Sequence, residues 1–398
     1  MRKPGTESAP GSLENARWTL IRGARQLLTL RGASGPRRGS AMSDLNIIPD
    51  GAVLIRDGVI EEVGATRRVE NLVPARLARV IDATGRVVMP SFVDPDIALA
   101  ASHAAADGVS GETDIRRMSR HRLEAVAAAL ASDLARYGVL TIGAHTLAAP
   151  DLQNTNKALR LHQTMQGRPL RIRSVFAPPC DHVSQLWMSA IFRKKLASVL
   201  EIPVTPEGVK AASLMATAAA TAGYNIRFRV SGKTTADVLE LAWSAGAVAL
   251  IGQVPVNSEM TRALGDVGCV KVLLTARILA GLSTPVRSAI DDGTPIALGS
   301  GYQRDGAASM NPQFLLHLAC QALEMTVEEA IVATTYNAAC SLRLSHVTGS
   351  LAPGKSADLC MIDVDHYRDL ARRAGHHDVC LVMRAGKAIY RRPNLTLD

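Results

Sequence analysis

Ile81-Asp82-Ala83-Thr84-Gly85-Arg86-Val87-Val88-Met89-Pro90-Ser91-Phe92-Val93-Asp94 is the stretch on which the fold turns. Gly85 breaks a short strand predicted over 78–82, and beyond Pro90 the character of the chain changes. N-terminal to it, from Trp18 to Pro90, lie short strands and turns. Trp18-Thr19-Leu20-Ile21-Arg22 starts one strand, and Gly51 to Ile60 reads as two strands about the turn Asp57-Gly58.

On its C-terminal side, from Ser91 to Ser345, strand-like and helix-like segments alternate. Strands are predicted over Val139–Ala144, Leu170–Phe176, Asn225–Val230, Val248–Ile251, Val270–Leu274 and Pro295–Leu298. A helical stretch is predicted from Asp114 to Arg136. Thr205-Pro206 opens another that Gly223 ends, and a third runs from about Thr234 to Ser244. Thr326-Val327-Glu328-Glu329 has the spacing of a capping box opening a helix toward Cys340. Such alternation over about 250 residues suits a barrel as well as a doubly wound sheet. The end of the chain returns to strands, at Asp358–Asp363, Val379–Arg384 and Lys387–Arg391. Strand segments therefore bracket the α/β body, and the two ends are expected to pair in one small unit.

The bulk numbers agree with a globular protein. Of 398 residues, 47% are apolar and 20% charged, while aromatics supply only 4%. Residues 1–17 are polar and lack the apolar centre of a secretory signal, so a disordered leader is expected. No apolar run reaches the length of a membrane span. Six scattered cysteines without a C-x-x-C pair read as free thiols of a reducing compartment, hence the cytoplasm. The net charge of +9 is spread along the chain in short groups such as Arg116-Arg117 and Arg193 to Lys195, without interleaved aromatics. Neither nucleic acid nor a membrane is expected as a partner. The sequence has no Gly-x-Ser-x-Gly elbow and no glycine-rich phosphate loop, which removes the usual nucleophilic hydrolases and nucleotide binders.

The opening stretch resembles the passage into the first barrel strand of the amidohydrolase superfamily. So does the tail: Gly349-Ser350-Leu351-Ala352-Pro353-Gly354-Lys355-Ser356-Ala357-Asp358-Leu359, with the hairpin Leu381 to Tyr390. Gln26 to Leu30 and Asp363 to Tyr367 are most similar to its imidazolonepropionase branch. The resemblance implies an α/β chain: a (β/α)8 TIM-like barrel over 91–345 and a small composite β-sandwich domain from 18–90 and 346–398. It also implies hydrolysis of carbon–nitrogen bonds by a metal-activated water, with ligands at the C-terminal ends of the barrel strands.

Position by position, the resemblance leaves few of those ligands. The two histidines that follow the first strand are replaced by Asp96 and Ala98. The next histidine and acid fall on Arg229 and Gly232, a further histidine on Gly252, and the catalytic aspartate on Gly301. No histidine occurs between His182 and His317, so no shift of alignment restores the imidazoles. One carboxylate does not make a zinc site.

The remaining candidates for ligand binding are Asp96, His145, Arg229, Ser231, Ser300, Tyr302 and Asp305, with His145 and Asp96 the candidates for catalysis. Arg229 is expected to pair with Asp96 and stand in for the metal's positive charge, either to bind a ligand or simply to neutralise Asp96. His145 follows a barrel strand, in the place of a substrate-contacting lysine in the resembling branch; a satisfied surface histidine is the plainer reading. Ser300, Tyr302, Gln303 and Asp305 are candidates to dress the pocket mouth, with an ordinary polar loop the plainer reading.

The functional expectation is a degenerate amidohydrolase without metal or other cofactor. It would be a non-catalytic or small-molecule-binding homologue, or a partner subunit, as a homo-oligomer or in complex with an active relative. Two alternatives stay open: an atypical hydrolase of cyclic amides, with zinc or iron in that case, and a structural subunit for oligomerisation.

Overall fold

A computed structural model describes residues 17–100, 112–146, 151–178, 185–253, 258–281, 286–302, 309–393 and 395. The expected leader, apart from Arg17, lies outside the described residues, as do Gln303 and Asp305.

Two eight-stranded sheets carry the fold. The first takes strands from both chain ends: β1 (Trp18–Leu28), β2 (Ile47–Arg56), β3 (Val59–Ala65), β4 (Arg79–Asp82) and β5 (Val87–Pro90). The second is the barrel, all parallel: β6 (Phe92–Ile97), β7 (Val139–His145), β8 (Arg171–Phe176), β9 (Val199–Val204), β10 (Asn225–Val230), β11 (Ala249–Ile251), β12 (Val270–Leu274) and β13 (Ile296–Gly299). The tail adds β14 (Leu359–Ile362), β15 (Val379–Arg384) and β16 (Lys387–Arg391) to the first sheet, in the order β16-β15-β14-β5-β1-β2-β3 with β4 beside β1. The chain ends join where Leu359 of β14 pairs antiparallel with Pro90 of β5. Asp57 and Gly58 both take positive φ, 48° and 86°, as a two-residue hairpin turn between β2 and β3 requires.

Helices cover the barrel where their sequences repeat apolar residues at helical spacing. In the helix Arg120–Arg136, Leu123, Ala127, Leu130 and Leu134 are buried in the cluster that also holds Ile142 and Phe92. The expected single helix from Asp114 is interrupted: one helix ends at Arg117, and Ser119 caps the next by accepting from the Arg122 amide. Thr205-Pro206 does not open a helix directly. Its hydroxyl accepts from the Gly208 amide in a turn, and the helix begins at Val209. The capping box is formed, with Thr326 accepting from the Glu329 amide and Glu329 from the Thr326 amide, but its helix stops at Thr334 and a second starts at Tyr336. Thr326→Ala is expected to cost about 1 kcal/mol, read as a lower urea midpoint; an unchanged midpoint would mean the cap contributes nothing.

The barrel is nearly closed. β6 joins the segment after β13 through an isolated bridge between Ile97 and Tyr302, and the Ser300 amide donates to the Asp94 carboxylate. Between β6 and β7 the register slips, with Asp94 opposite Ile142 but Ile97 opposite Ala144. One extra residue is thus accommodated in β6. Gly143 makes this passable, since a Cβ there would stand 2.3 Å from the Pro95 carbonyl oxygen. No described helix is long and apolar enough to cross a membrane. The five described cysteines are free thiols.

Candidate functional site

Alternation along a strand sends Phe228 to the cluster that includes Ala216 and Ala219 of the covering helix, and so turns Arg227 and Arg229 the other way, into the barrel. The neighbouring strand β9 pairs Glu201 with Arg227 and Pro203 with Arg229. The bulged β6 brings Asp96 across from them, and β7 ends at His145.

These side chains close on one another. Arg229 Nε donates to Glu201 Oε1 at 2.6 Å and its Nη2 to Oε2 at 2.9 Å, a two-pronged grip. The same Nη2 also donates to Asp96 Oδ1. Arg227 Nη2 lies 3.0 Å from Asp96 Oδ1 and 2.7 Å from Glu201 Oε2, while its Nη1 donates to the Pro95 carbonyl at 2.9 Å. His145 Nε2 stands 3.9 Å from Asp96 Oδ1. Asp96 and Glu201 are fully buried, and the arginine side chains are 1% and 8% exposed.

Two guanidinium and two carboxylate groups make the cluster formally neutral. Burial by itself would raise both carboxylates. The Arg229 and Arg227 charges outweigh it, joined at Asp96 by His145, and hold both below the usual carboxylate range. Burial pushes His145 down to about 4 against the pull of Asp96, so the ring is neutral near pH 7. Asp94, two residues before Asp96, is raised to about 7, chiefly by burial. Among the described residues four buried polar atoms of the cluster have no hydrogen-bond partner: Asp96 Oδ2, Arg227 Nε and both ring nitrogens of His145, which is thus neither a surface histidine nor a satisfied one.

Asp96, Arg229 and His145 therefore meet. Ser300 and Tyr302 stand at the closing seam, where Ser300 Oγ accepts from the Tyr302 amide. Ser231 is exposed, and its amide donates to the Val204 carbonyl. Ala98 is buried with its amide on the Tyr302 carbonyl. Gly252 and Gly301 take φ of 138° and 60°. A Cβ at Gly252 would lie 3.0 Å from the Val230 carbonyl oxygen, so neither position accepts a ligand-bearing side chain without strain. No group of three His, Cys, Asp or Glu side chains among the described residues converges as a metal set would. Sequence reasoning missed Glu201 and Arg227. The one available signal was their two-residue and one-strand offset from Arg229, visible only once β9 is recognised as a strand.

Comparison with known proteins agrees with the barrel fold. The profile of the amidohydrolase family matches residues 239–389. The imidazolonepropionase of Solibacter usitatus is 32% identical over 412 aligned positions, covering 92% of this chain and 97% of that protein. The imidazolonepropionase of Geobacillus kaustophilus is 29% identical, covering 93% and 97%. Among solved structures, the chain superposes on guanine deaminase of E. coli with a TM-score of 0.70 at 16% identity, covering 94% of this chain and 99% of that one. It superposes on N-isopropylammelide isopropylaminohydrolase of Burkholderia multivorans with a TM-score of 0.72 at 18% identity, covering 94% and 98%.

Proposed function

The chain belongs to the amidohydrolase superfamily, in its imidazolonepropionase-like branch, and from that membership we propose that it is a degenerate member whose barrel holds arginine charge where its relatives hold a metal. One observation carries the reading: both buried carboxylates are already gripped by Arg227 and Arg229. The residues present do not fit a divalent ion, because a dication beside these oxygens would face two guanidinium groups within a few ångströms. No step is therefore routed through a metal. What the site offers instead is recognition. Asp96 Oδ2 is free to accept and the neutral His145 ring to donate or accept, and because both side chains are fully buried only a small polar molecule admitted past the barrel mouth would meet them.

A second reading has one observation in its favour. His145, neutral and 3.9 Å from Asp96, is placed as a general base for metal-free hydrolysis of a cyclic amide. A single assay separates the two. The protein, expressed with zinc, manganese and iron supplied, is incubated with imidazolone propionate and with other cyclic amides. The proposal expects no ring opening above the uncatalysed rate. Turnover that survives chelation but is lost in His145→Ala would favour the second reading, and turnover that requires metal would sink both.

A further inference from the structure

Away from the barrel mouth, the helices Leu152–Met165 and Gln185–Arg193 leave a cleft of about 560 Å³ against the outer face of β8. Its walls are apolar, formed by Ile172, the Phe192 ring and Leu196. The imidazole of His162 lines it too, fixed by a 2.8 Å hydrogen bond between Nδ1 and Ser174 Oγ. His162 is 1% exposed, yet its Nε2 has no partner among the described residues. Burying such a nitrogen unpaired costs free energy that a bound polar atom would recover. Arg173, Arg193 and Lys195 also line the cleft, and among the described residues no carboxylate does. Arg193 and Lys195 are exposed, and neither forms an ion pair among the described residues.

We propose that this cleft is a second binding site, for a small aromatic acid carrying a hydroxyl opposite its carboxylate. The ring lies against Ile172, Phe192 and Leu196, the carboxylate meets Arg193 and Lys195 at the rim, and the hydroxyl bonds His162 Nε2. The volume falls in the range of sites that enclose a small organic ligand. Each of the three features answers to one part of the ligand. An aromatic alcohol lacks the head that the cations hold, and an unsubstituted aromatic acid leaves His162 unpaired.

The test is calorimetric titration of the full chain with 6-hydroxy-2-naphthoate, 2-naphthoate and 2-naphthol at constant ionic strength. The hydroxynaphthoate is expected to bind most tightly, with each of the other two weaker by at least about tenfold, or 1.4 kcal/mol. The double variant Arg193→Glu/Lys195→Glu, altered only at exposed positions, is expected to lose at least as much for the two acids while 2-naphthol is unaffected. Equal affinity for all three compounds, unchanged binding in the double variant, or no binding below about 1 mM would each overturn the assignment. Because the rim lies apart from Arg227 and Arg229, these outcomes do not depend on the reading of the barrel mouth.

Discussion

Arg229→Met is expected to lower the stability of the fold by about 3–5 kcal/mol. The substitution keeps apolar bulk but removes the guanidinium that grips Glu201 through two hydrogen bonds and also reaches Asp96. Glu201 and Asp96 stay buried, with only Arg227 to share between them. Two buried anions with one cation is the costly arrangement, because burial limits the solvation that would offset the lost charge. The double variant Arg229→Met/Glu201→Leu restores balance by leaving one pair, Arg227 with Asp96 at 3.0 Å. Its cost is expected to fall well below the sum of the two single costs. Urea denaturation of the wild type, both single variants and the double variant measures this coupling. A single-variant cost under about 1 kcal/mol would place Arg229 among ordinary surface ion pairs, contrary to its burial.

Acid is expected to unfold the protein in a way that His162 makes visible. Burial, and to a lesser degree the neighbouring His145, pushes His162 down from 6.5 to about 3. The unfolded chain binds this proton from pH 6.5 downward, whereas the folded chain refuses it until about pH 3. The stabilising contribution is therefore fully present above 6.5 and is lost as pH falls toward the folded value. Each pH unit in that window changes stability by about 1.4 kcal/mol. Wild type minus His162→Gln is the informative difference, since the amide keeps a partner for Ser174 but does not titrate. That difference should shrink by about 3 kcal/mol between pH 6.5 and pH 4. Asp94 works in the opposite sense: raised to about 7, it contributes most below the unfolded carboxylate value and loses that contribution as pH rises through 7. It is common to both proteins and cancels. A pH-independent difference would show that the ring titrates normally and is hydrated.

Much of the framework is legible in the sequence because it is written in local patterns. The Asp57-Gly58 hairpin, the Thr326–Glu329 capping box, and the strands Asn225–Val230 and Val270–Leu274 follow from turn chemistry and apolar runs. What escaped is physically consistent. Strand β9, Val199-Leu200-Glu201-Ile202-Pro203-Val204, carries a charge and a proline within it, both of which argue against a strand. The barrel tolerates the charge only because Arg227 and Arg229 are brought beside it, and that pairing exists only in three dimensions. Asp96 and Arg229 are 133 residues apart in sequence, and no local rule joins them. The basic residues show the same limit. They look dispersed along the chain, but Arg116, Arg120, Lys157, Arg160 and Lys194 line one cleft of about 680 Å³.

The central claim is that arginine charge stands where a metal would be. Its most direct test is the metal content of the purified protein by mass spectrometry, after expression with zinc, manganese and iron supplied. Below about a tenth of an equivalent of any of the three is the predicted result. Near-stoichiometric metal that resists dialysis would contradict the account, because Asp96 and Glu201 cannot hold a dication and two guanidinium groups at once.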